Sequence, residues 1–388
     1  MKIVDRYIFQ KFIRFLILCY ISLVGLFAML SVFSNLDAFF SDHCRQSPFI
    51  LIPLYYFFKS FVFIDQIFPL LILFSAMACM STMLGNNEII ALMSMGVSQV
   101  RTIMPIVFTA FILTLGVSLM REIYIPDHML EMVQSPTEFV GTENYVPVNV
   151  TSDRYTEIEI SGDAIYPDEK RISKPVFNLM ESVLSPQLSE ENFLLKGENA
   201  YYQPMNSEHP EGYLVTDLFM GQDILSEGSL CADEWGTIIY SPVDHSWLKE
   251  GECFVSCQVG LDFLMAGDFW ISYSSLPGLI NGLRNPALNV DKTKVLIAIN
   301  TRIIRPFTDI IPLFLGLPIL FTQKERKSKK GRFFAAIMQG AVLGSLYIGV
   351  QYLSTFIGSQ YDAPVFAAFL PAMIFVPIAT NIFSRMLK

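Results

Sequence analysis

Charged residues are scarce in this chain of 388 residues, since Asp, Glu, Lys and Arg together make up only 16% of it. A soluble domain normally carries about a quarter of such residues, so this scarcity argues against a cytosolic globular protein. The 52% of hydrophobic residues exclude a disordered chain and a collagen-like fibre. Six cysteines in a chain of this length also exclude a small disulfide scaffold.

Signatures of catalysis are missing as well. The four histidines are scattered and form no His-Glu-x-x-His pair, and no Gly-x-Ser-x-Gly motif occurs. No glycine is followed by lysine, which excludes a Walker A loop for nucleotide phosphates. We therefore predict that the chain is not an enzyme, holds no metal or cofactor of its own and binds no nucleic acid. Any ATP hydrolysis must come from a partner.

The net charge of −9 averages two different regions. Residues 125–294 hold 27 of the 36 acidic residues but only 9 of the 27 basic ones, so this segment carries −18 and the rest carries +9. The pattern indicates an acidic, water-soluble domain of residues 125–294. It is inserted between two apolar regions, residues 1–124 and 295–388.

Six apolar stretches approach the roughly 20 residues that a helix needs to cross a bilayer. They are Phe15–Phe33, Ser60–Leu84, Ile103–Met120, Ile303–Thr322, Phe333–Ile357 and Val365–Phe383. The first is too long for the apolar core of a signal peptide and lacks a small-residue cleavage site, so we predict a retained span.

Basic residues predict the orientation of these spans. The loop at residues 323–332 carries six basic residues and one acid, and the chain ends with Arg385 and Lys388. Because short basic loops stay in the cytoplasm, we expect both termini there and residues 125–294 on the outer side. In a bacterial inner membrane that side is the periplasm.

The middle segment is predicted to be β structure over residues 137–265. Short alternating or apolar runs separated by turn residues favour an antiparallel sandwich or open barrel, and residues 127–134 favour a short helix. The predicted strands are Thr156–Ile160, Gly212–Met220, Gly236–Tyr240 and Cys253–Leu264. A disulfide from Cys231 to Cys253 or Cys257 and a zinc site that adds His245 both remain open, as does any role of Cys44.

An amphipathic helix is predicted over about residues 86–101, in the loop between the second and third spans. Ile89, Leu92 and Met93 recur at helical spacing, and Glu88 lies in the first turn, where the helix dipole favours a carboxylate. Two interpretations are open. The helix lies on the lipid surface, or it docks into a groove of a cytoplasmic partner.

Five blocks of the sequence resemble, in order and spacing, the lipopolysaccharide-export permease family LptF/LptG (YjgP/YjgQ). They are Val4–Ile8, Asn87–Leu92 with Gly96–Ser98, Glu122–Pro126, Arg302 and Arg305–Pro306 with Gly316–Pro318, and Ala363–Pro364 with Phe369–Pro371. The first and last blocks lie slightly nearer LptG. The resemblance implies six transmembrane helices and a periplasmic β-jellyroll.

The resemblance also implies a permease subunit of an ABC-type exporter that extracts lipopolysaccharide from the inner membrane. Its implied partners are a second permease (LptF-like, or a copy of itself), a cytoplasmic LptB-like ATPase dimer that carries ATP and Mg, and a periplasmic lipid bridge like LptC or LptA. Two alternatives remain, a permease of the same build for another lipid and a membrane-anchored periplasmic scaffold or receptor.

The implied coupling to the ATPase lies in the loop helix, and the residues that match the family there are Glu88, Ala91, Leu92, Gly96, Val97 and Ser98. Charges within or beside spans are functional candidates by default. Lys59, Arg121, Arg302 and Arg305 are candidates for binding anionic lipid head groups, although residues 34–40, where the family has a cation, contain none.

Asp65 and Asp309 are the expected partners of these cations. Asp309 follows Arg305 by four residues, which places both on one helix face and makes an internal pair the alternative to lipid binding. Gly340 and Gly344, four residues apart in the fifth span, allow close helix packing. They either pack within the chain or contribute to a lateral gate, which the resemblance implies between spans one and five.

Overall fold

Among the residues that the structure describes, six helices are long and apolar enough to cross a membrane, which confirms the six predicted spans. In this computed structural model they are span 1 (Ile3–Ser34), span 2 (Pro48–Gly85), span 3 (Gln99–Asp127), span 4 (Lys292–Phe321), span 5 (Gly331–Gln360) and span 6 (Pro364–Ser384). Span 2 has 38 residues. At about 1.5 Å per residue it exceeds the roughly 30 Å of a hydrocarbon core, so it extends beyond the bilayer.

The structure describes residues 3–40, 47–140, 144–154, 156–179, 193–206, 209–221, 225–226, 228–232, 236–322 and 329–387. The chain forms two units. The membrane unit comprises Met1–Ser34, Tyr56–Ile125 and Lys292–Lys388, and the β unit comprises Asn35–Tyr55 and Pro126–Asp291. Cys44 lies outside the described residues, as do the predicted basic residues of 323–328.

Span 2 forms the centre of the membrane unit. The most apolar 18-residue stretch of span 2 is 72% buried, whereas no residue in that of span 1 is buried. Its side chains from Phe68 to Met83 pack in one apolar cluster with Ile106 of span 3 and Leu313 and Leu317 of span 4. Spans 1, 3, 4 and 5 therefore pack against span 2, whereas span 6 packs against spans 4 and 5.

Span 4 consists of two helices, Lys292–Thr308 and Ile311–Thr322. Pro312 follows the break, and a proline ring clashes with the carbonyl four residues earlier, here Thr308. Asp309 lies at this interruption, where its backbone N–H still donates to the Arg305 carbonyl at 2.9 Å. The sequence therefore places a carboxylate where the helix of span 4 is broken.

The β unit contains one antiparallel sheet among its described residues, as the sequence predicted. Its strands are β1 (Val146–Pro147), β2 (Thr151–Ser152), β3 (Ile158–Ser161), β4 (Ala164–Tyr166), β5 (Arg171–Ser173), β6 (Val176–Leu179), β7 (Phe193–Gln203), β8 (Gly212–Met220), β9 (Leu230–Ala232), β10 (Gly236–Tyr240) and β11 (Cys253–Ser256). The main order is β1-β4-β5-β7-β8-β11-β10-β9.

The long strand β7 joins two branches of the sheet. Its first residues pair with β6 and its last with β5, while β8 lies along its other edge. The branch through β6 continues to β3 and β2. Alternation sets the inner face, because Ile158 and Ile160 of β3 are fully buried and lie opposite Leu179 and Phe177 of β6.

Short helices complete both units. The loop helix (Glu88–Ser94) belongs to the membrane unit, and Leu36–Phe39, Met129–Val133, Pro136–Val140, Leu261–Ala266, Trp270–Tyr273 and Leu276–Arg284 belong to the β unit. The predicted strand Cys253–Leu264 is wrong in its second half, since the strand ends at Ser256 and a helix begins at Leu261. A continuous apolar run does not distinguish a strand from a buried helix.

Candidate functional site

The loop helix, Glu88–Ser94, is shorter than the predicted 86–101. A cap at Gly96 ends it, and a second cap at Ser98 starts span 3. Gly96 adopts φ +81°, a left-handed conformation that glycine adopts without strain. The N–H groups of Gly96 and Val97 donate to the carbonyls of Met93 and Leu92 at 2.9 and 3.1 Å, which is a Schellman motif.

Ser98 then caps span 3, since its hydroxyl accepts from the backbone N–H of Arg101 at 3.4 Å. Gly96, Val97 and Ser98, three of the six residues that match the family in this loop, therefore have a local structural role. They fix the turn that leads from the loop helix into span 3.

Glu88 is bound by residues of the same chain. The Lys11 ammonium of span 1 lies 2.8 Å from both carboxylate oxygens, and the Tyr7 hydroxyl donates to Oε2 at 3.1 Å. Asn86 donates to Oε1 at 3.3 Å. Partial burial opposes ionisation, but the hydrogen bonds from Lys11, Asn86 and Tyr7 outweigh it and hold the pKa of Glu88 below its ordinary value.

The sequence analysis missed the role of Lys11 and Tyr7, of which only Tyr7 lies in one of the five blocks. Their spacing of four residues was the available signal, because it places both on one helix face, where Lys11 also donates to the Tyr7 hydroxyl at 3.2 Å.

The loop helix has one buried and one exposed apolar side. Ile89 is fully buried in the apolar cluster of the membrane unit. Ile90, Met93 and Met95 are 44%, 40% and 71% exposed. Since exposed apolar side chains on a short helix mark a lipid or protein contact, this side is the open part of the site.

A pocket of about 180 Å³ adjoins that exposed side. Ile90 and Met93 line it together with Leu320 and Phe321 of span 4 and Arg332 of span 5. The Arg332 Nε is buried and has no hydrogen-bond partner among the described residues. In the sequence analysis Arg332 is only one of the basic residues that place the loop at residues 323–332 in the cytoplasm, and no spacing pattern predicts its position beside the loop helix.

A second candidate site is the charge cluster, formed by Asp65, Arg121, Glu122, Arg302, Arg305 and Asp309 in spans 2, 3 and 4. Asp65 pairs with Arg121 and with Arg305, whose Nη1 lies 2.8 Å from Oδ1. The predicted pair of Arg305 and Asp309 is present, with Nε and Oδ2 3.2 Å apart. Arg302 pairs with Glu122 at 3.5 Å.

Three arginines and three carboxylates thus balance each other in the charge cluster. Asp65, Arg302 and Asp309 are only 5%, 7% and 4% exposed, and the Tyr347 hydroxyl of span 5 donates to Asp309 at 3.5 Å. Arg121, Arg302 and Arg305, predicted as head-group candidates, therefore contact carboxylates of the chain itself. Lys59 lies on span 2, six residues before Asp65, and is partly buried.

Comparison with known families links the first site to a transport function. Residues 6–146 match the model of a family described as lipopolysaccharide export system permease LptF/LptG. The match includes spans 1, 2 and 3 and the loop helix with its Lys11–Glu88 pair. Over these residues the chain is similar to this permease family. No curated protein matched the chain.

This similarity agrees with the six spans and with the β sheet between spans 3 and 4, and the matched family is one of transport permeases. The C-terminal blocks of the resemblance, from Arg302 onward, lie outside the matched residues. The slight preference for LptG stays a prediction.

The glycines of span 5 pack against span 2. A Cβ at Gly344 would overlap the Leu70 side chain, and one at Gly340 would lie 3.1 Å from the Met77 Sδ. A Cβ at Gly316 of span 4 would meet the same surface, 2.8 Å from the Leu73 Cδ1. The structure thus brings these glycines into helix packing within the chain.

The cysteines of the β unit that the structure describes are free thiols, so the open disulfide between Cys231 and a second cysteine is not formed. Burial raises the pKa of Cys253 and Cys257 above the ordinary value, and the charge of Asp153 raises that of Cys257 further. Within the described residues no group of three His, Cys, Asp or Glu side chains is arranged to hold a metal ion.

The β unit also contains a pocket of about 480 Å³. Phe263, Trp270 and Tyr273 contribute aromatic walls, and Glu211 and Asp262 contribute carboxylates. Carboxylates repel phosphate groups, so this pocket does not suit an anionic lipid head group. The inner face of the sheet is apolar, with Phe177, Tyr213 and Val215 fully buried.

Proposed function

We propose that this chain is the permease subunit of an ATP-driven exporter that extracts lipopolysaccharide from the inner membrane. The single observation that carries the proposal is the loop helix. It lies in the part of the chain that matches the family model, and it exposes apolar side chains beside a pocket. Both termini and this loop lie in the cytoplasm, and the β unit lies in the periplasm.

The loop helix docks into a cytoplasmic ATPase dimer. Ile90, Met93 and Met95 supply the apolar contact, and Arg332 offers a cation to a carboxylate of the partner. Of the six matching residues, Ala91 belongs to the exposed surface, whereas Leu92, Gly96, Val97 and Ser98 maintain the shape of the loop. ATP and Mg bind to the ATPase, because the chain has no phosphate-binding loop.

The cargo passes from spans 1 and 5, paired with a second permease subunit, to the β unit and then to a periplasmic bridge protein. Span 1 supports this role because much of its surface is apolar and exposed, including Ile21, Leu26 and Leu30. The fully buried side chains of the sheet interior give lipid an apolar path only if the strands separate.

A permease of the same build for a different lipid is the second candidate. The charge cluster favours it, because three arginines that are balanced by three carboxylates leave little positive charge for the phosphates of lipopolysaccharide. A lipid with fewer anionic groups would fit such a neutral cluster better.

The test is purification of the tagged chain from bacterial membranes in mild detergent, with mass spectrometry of the bound proteins and lipids. We expect an ATPase subunit, a permease subunit and lipopolysaccharide. The double variant Ile90→Asp, Met93→Asp should lower ATPase recovery at least fivefold, because charged groups do not enter an apolar groove. Met205→Asp, at a methionine 79% exposed in the β unit, is the control and should have no effect.

Each other outcome selects an alternative. Equal ATPase recovery from both variants would remove the loop helix as the docking element. Phospholipid in place of lipopolysaccharide would select the second candidate. A complex that contains neither ATPase nor lipid would identify a membrane-anchored periplasmic scaffold.

A further inference from the structure

Span 1 is held most firmly at the end that lies beside the loop helix. Ile8 and Phe12 are its only fully buried residues, and both belong to the apolar cluster centred on span 2. Further along, from Ile17 to Phe33, span 1 exposes a series of large apolar side chains. The first three turns therefore anchor this helix.

The loop helix packs in the same apolar cluster as the first turns of span 1. Ile89 is fully buried in the cluster that contains Ile8 and Phe12. The preceding residue, Glu88, accepts a hydrogen bond from Lys11 at each of its carboxylate oxygens. Apolar packing and an ion pair thus connect two adjacent residues of the loop helix with the first turns of span 1.

The ion pair has the properties of a mechanical link and not of a solvated surface pair. The side chains of Lys11 and Glu88 are 18% and 26% exposed, so water screens them only in part. The Tyr7 hydroxyl contacts both partners, at 3.1 Å from Glu88 and 3.2 Å from Lys11. Both carboxylate oxygens of Glu88 are therefore occupied within the chain.

We infer that Lys11 is a positioning residue that transmits movement of the loop helix to span 1 through its ion pair with Glu88. The inference rests on the proposed function and adds the route by which ATPase closure reaches the lipid-facing helix. When the ATPase displaces the loop helix, Glu88 moves Lys11, and the first turns of span 1 follow. A cation of the ATPase would have to displace Lys11 to reach this carboxylate.

Charge exchange tests the link in the full complex reconstituted in proteoliposomes. Lys11→Glu and Glu88→Lys place like charges together, so each should lower lipid release per ATP hydrolysed at least fivefold. The double variant Lys11→Glu, Glu88→Lys restores the pair in reverse and should return at least half of the wild-type ratio. Lys11→Arg keeps the charge and should stay within twofold of wild type.

The readouts separate the link from the docking function. ATPase recovery from Lys11→Glu and Lys11→Arg should remain within twofold of wild type, because Lys11 lies on span 1 and the exposed side of the loop helix is unchanged. A double variant no better than Glu88→Lys alone would overturn the inference, since Glu88 would then act on a group outside this chain. Wild-type complex without ATPase or lipid release would instead refute the proposed function.

Discussion

The membrane unit and the β unit use charged residues in opposite ways. Residues 125–294 contain 27 of the 36 acidic residues of the chain, and most of those with a described environment lie at its surface. In the membrane unit, Asp65 and Asp309 are buried and each contacts an arginine. The number of charges in a region therefore says little about how much structure depends on them.

The physical reason is the medium around each charge. An unpaired ion in a low-dielectric interior costs several kcal/mol, so charges persist in spans only when they are paired. In water the same ion is solvated, and a neighbouring opposite charge adds little. Substitution of three acids that differ in burial, Asp65, Asp153 and Asp163, tests this comparison.

The largest effect is expected for Asp65→Ala. The substitution leaves Arg121 and Arg305 without their shared carboxylate, and removing one member of a buried pair costs about 3–5 kcal/mol. The midpoint of thermal unfolding in detergent should fall well below that of wild type. An unchanged midpoint would mean that the charge cluster does not support the membrane unit, and the comparison would fail.

Asp153→Asn should have an intermediate effect. Asp153 is fully buried in the β unit, but its donors are the backbone N–H groups of Thr156 and Gln258 and the Cys257 thiol, each at 3.2 Å. Asparagine turns an NH₂ group toward one of these donors, which costs about 1–3 kcal/mol. Thermal unfolding of the full chain, compared with Asp65→Ala and with the exposed control Asp163→Asn, measures the order.

An effect of Asp153→Asn as large as that of Asp65→Ala would change the interpretation of the comparison. It would show that burial alone, and not the charge of the partner, sets the dependence of the fold on an acid.

The sequence predicted the spans and the β sheet because apolar length and alternation are local properties. It also predicted the pair of Arg305 and Asp309, which a spacing of four residues defines. It predicted Asp65 as a partner of the cations without choosing Arg121 among them, and it missed the contact of Lys11 with Glu88, because these contacts join residues separated by 56 and 77 positions. Only the packing of spans 1, 2 and 3 brings such residues together.

The smallest effect is expected for Asp163→Ala, at the surface pair with Lys174. Both side chains are about 60% exposed, and Asp163 Oδ2 lies 3.1 Å from the ammonium, which raises the pKa of Lys174 above its ordinary value of 10.5. A raised lysine pKa contributes stability that is present below the unfolded value and is lost as the pH rises through the folded value. Any difference from wild type should therefore be near the detection limit at pH 7 and disappear as the pH rises through the raised pKa of Lys174. It should also disappear in about 1 M salt, where screening acts over about 3 Å. A shift that persists in salt and approaches that of Asp153→Asn would contradict the comparison, because a solvated pair would then support the fold as strongly as a buried acid.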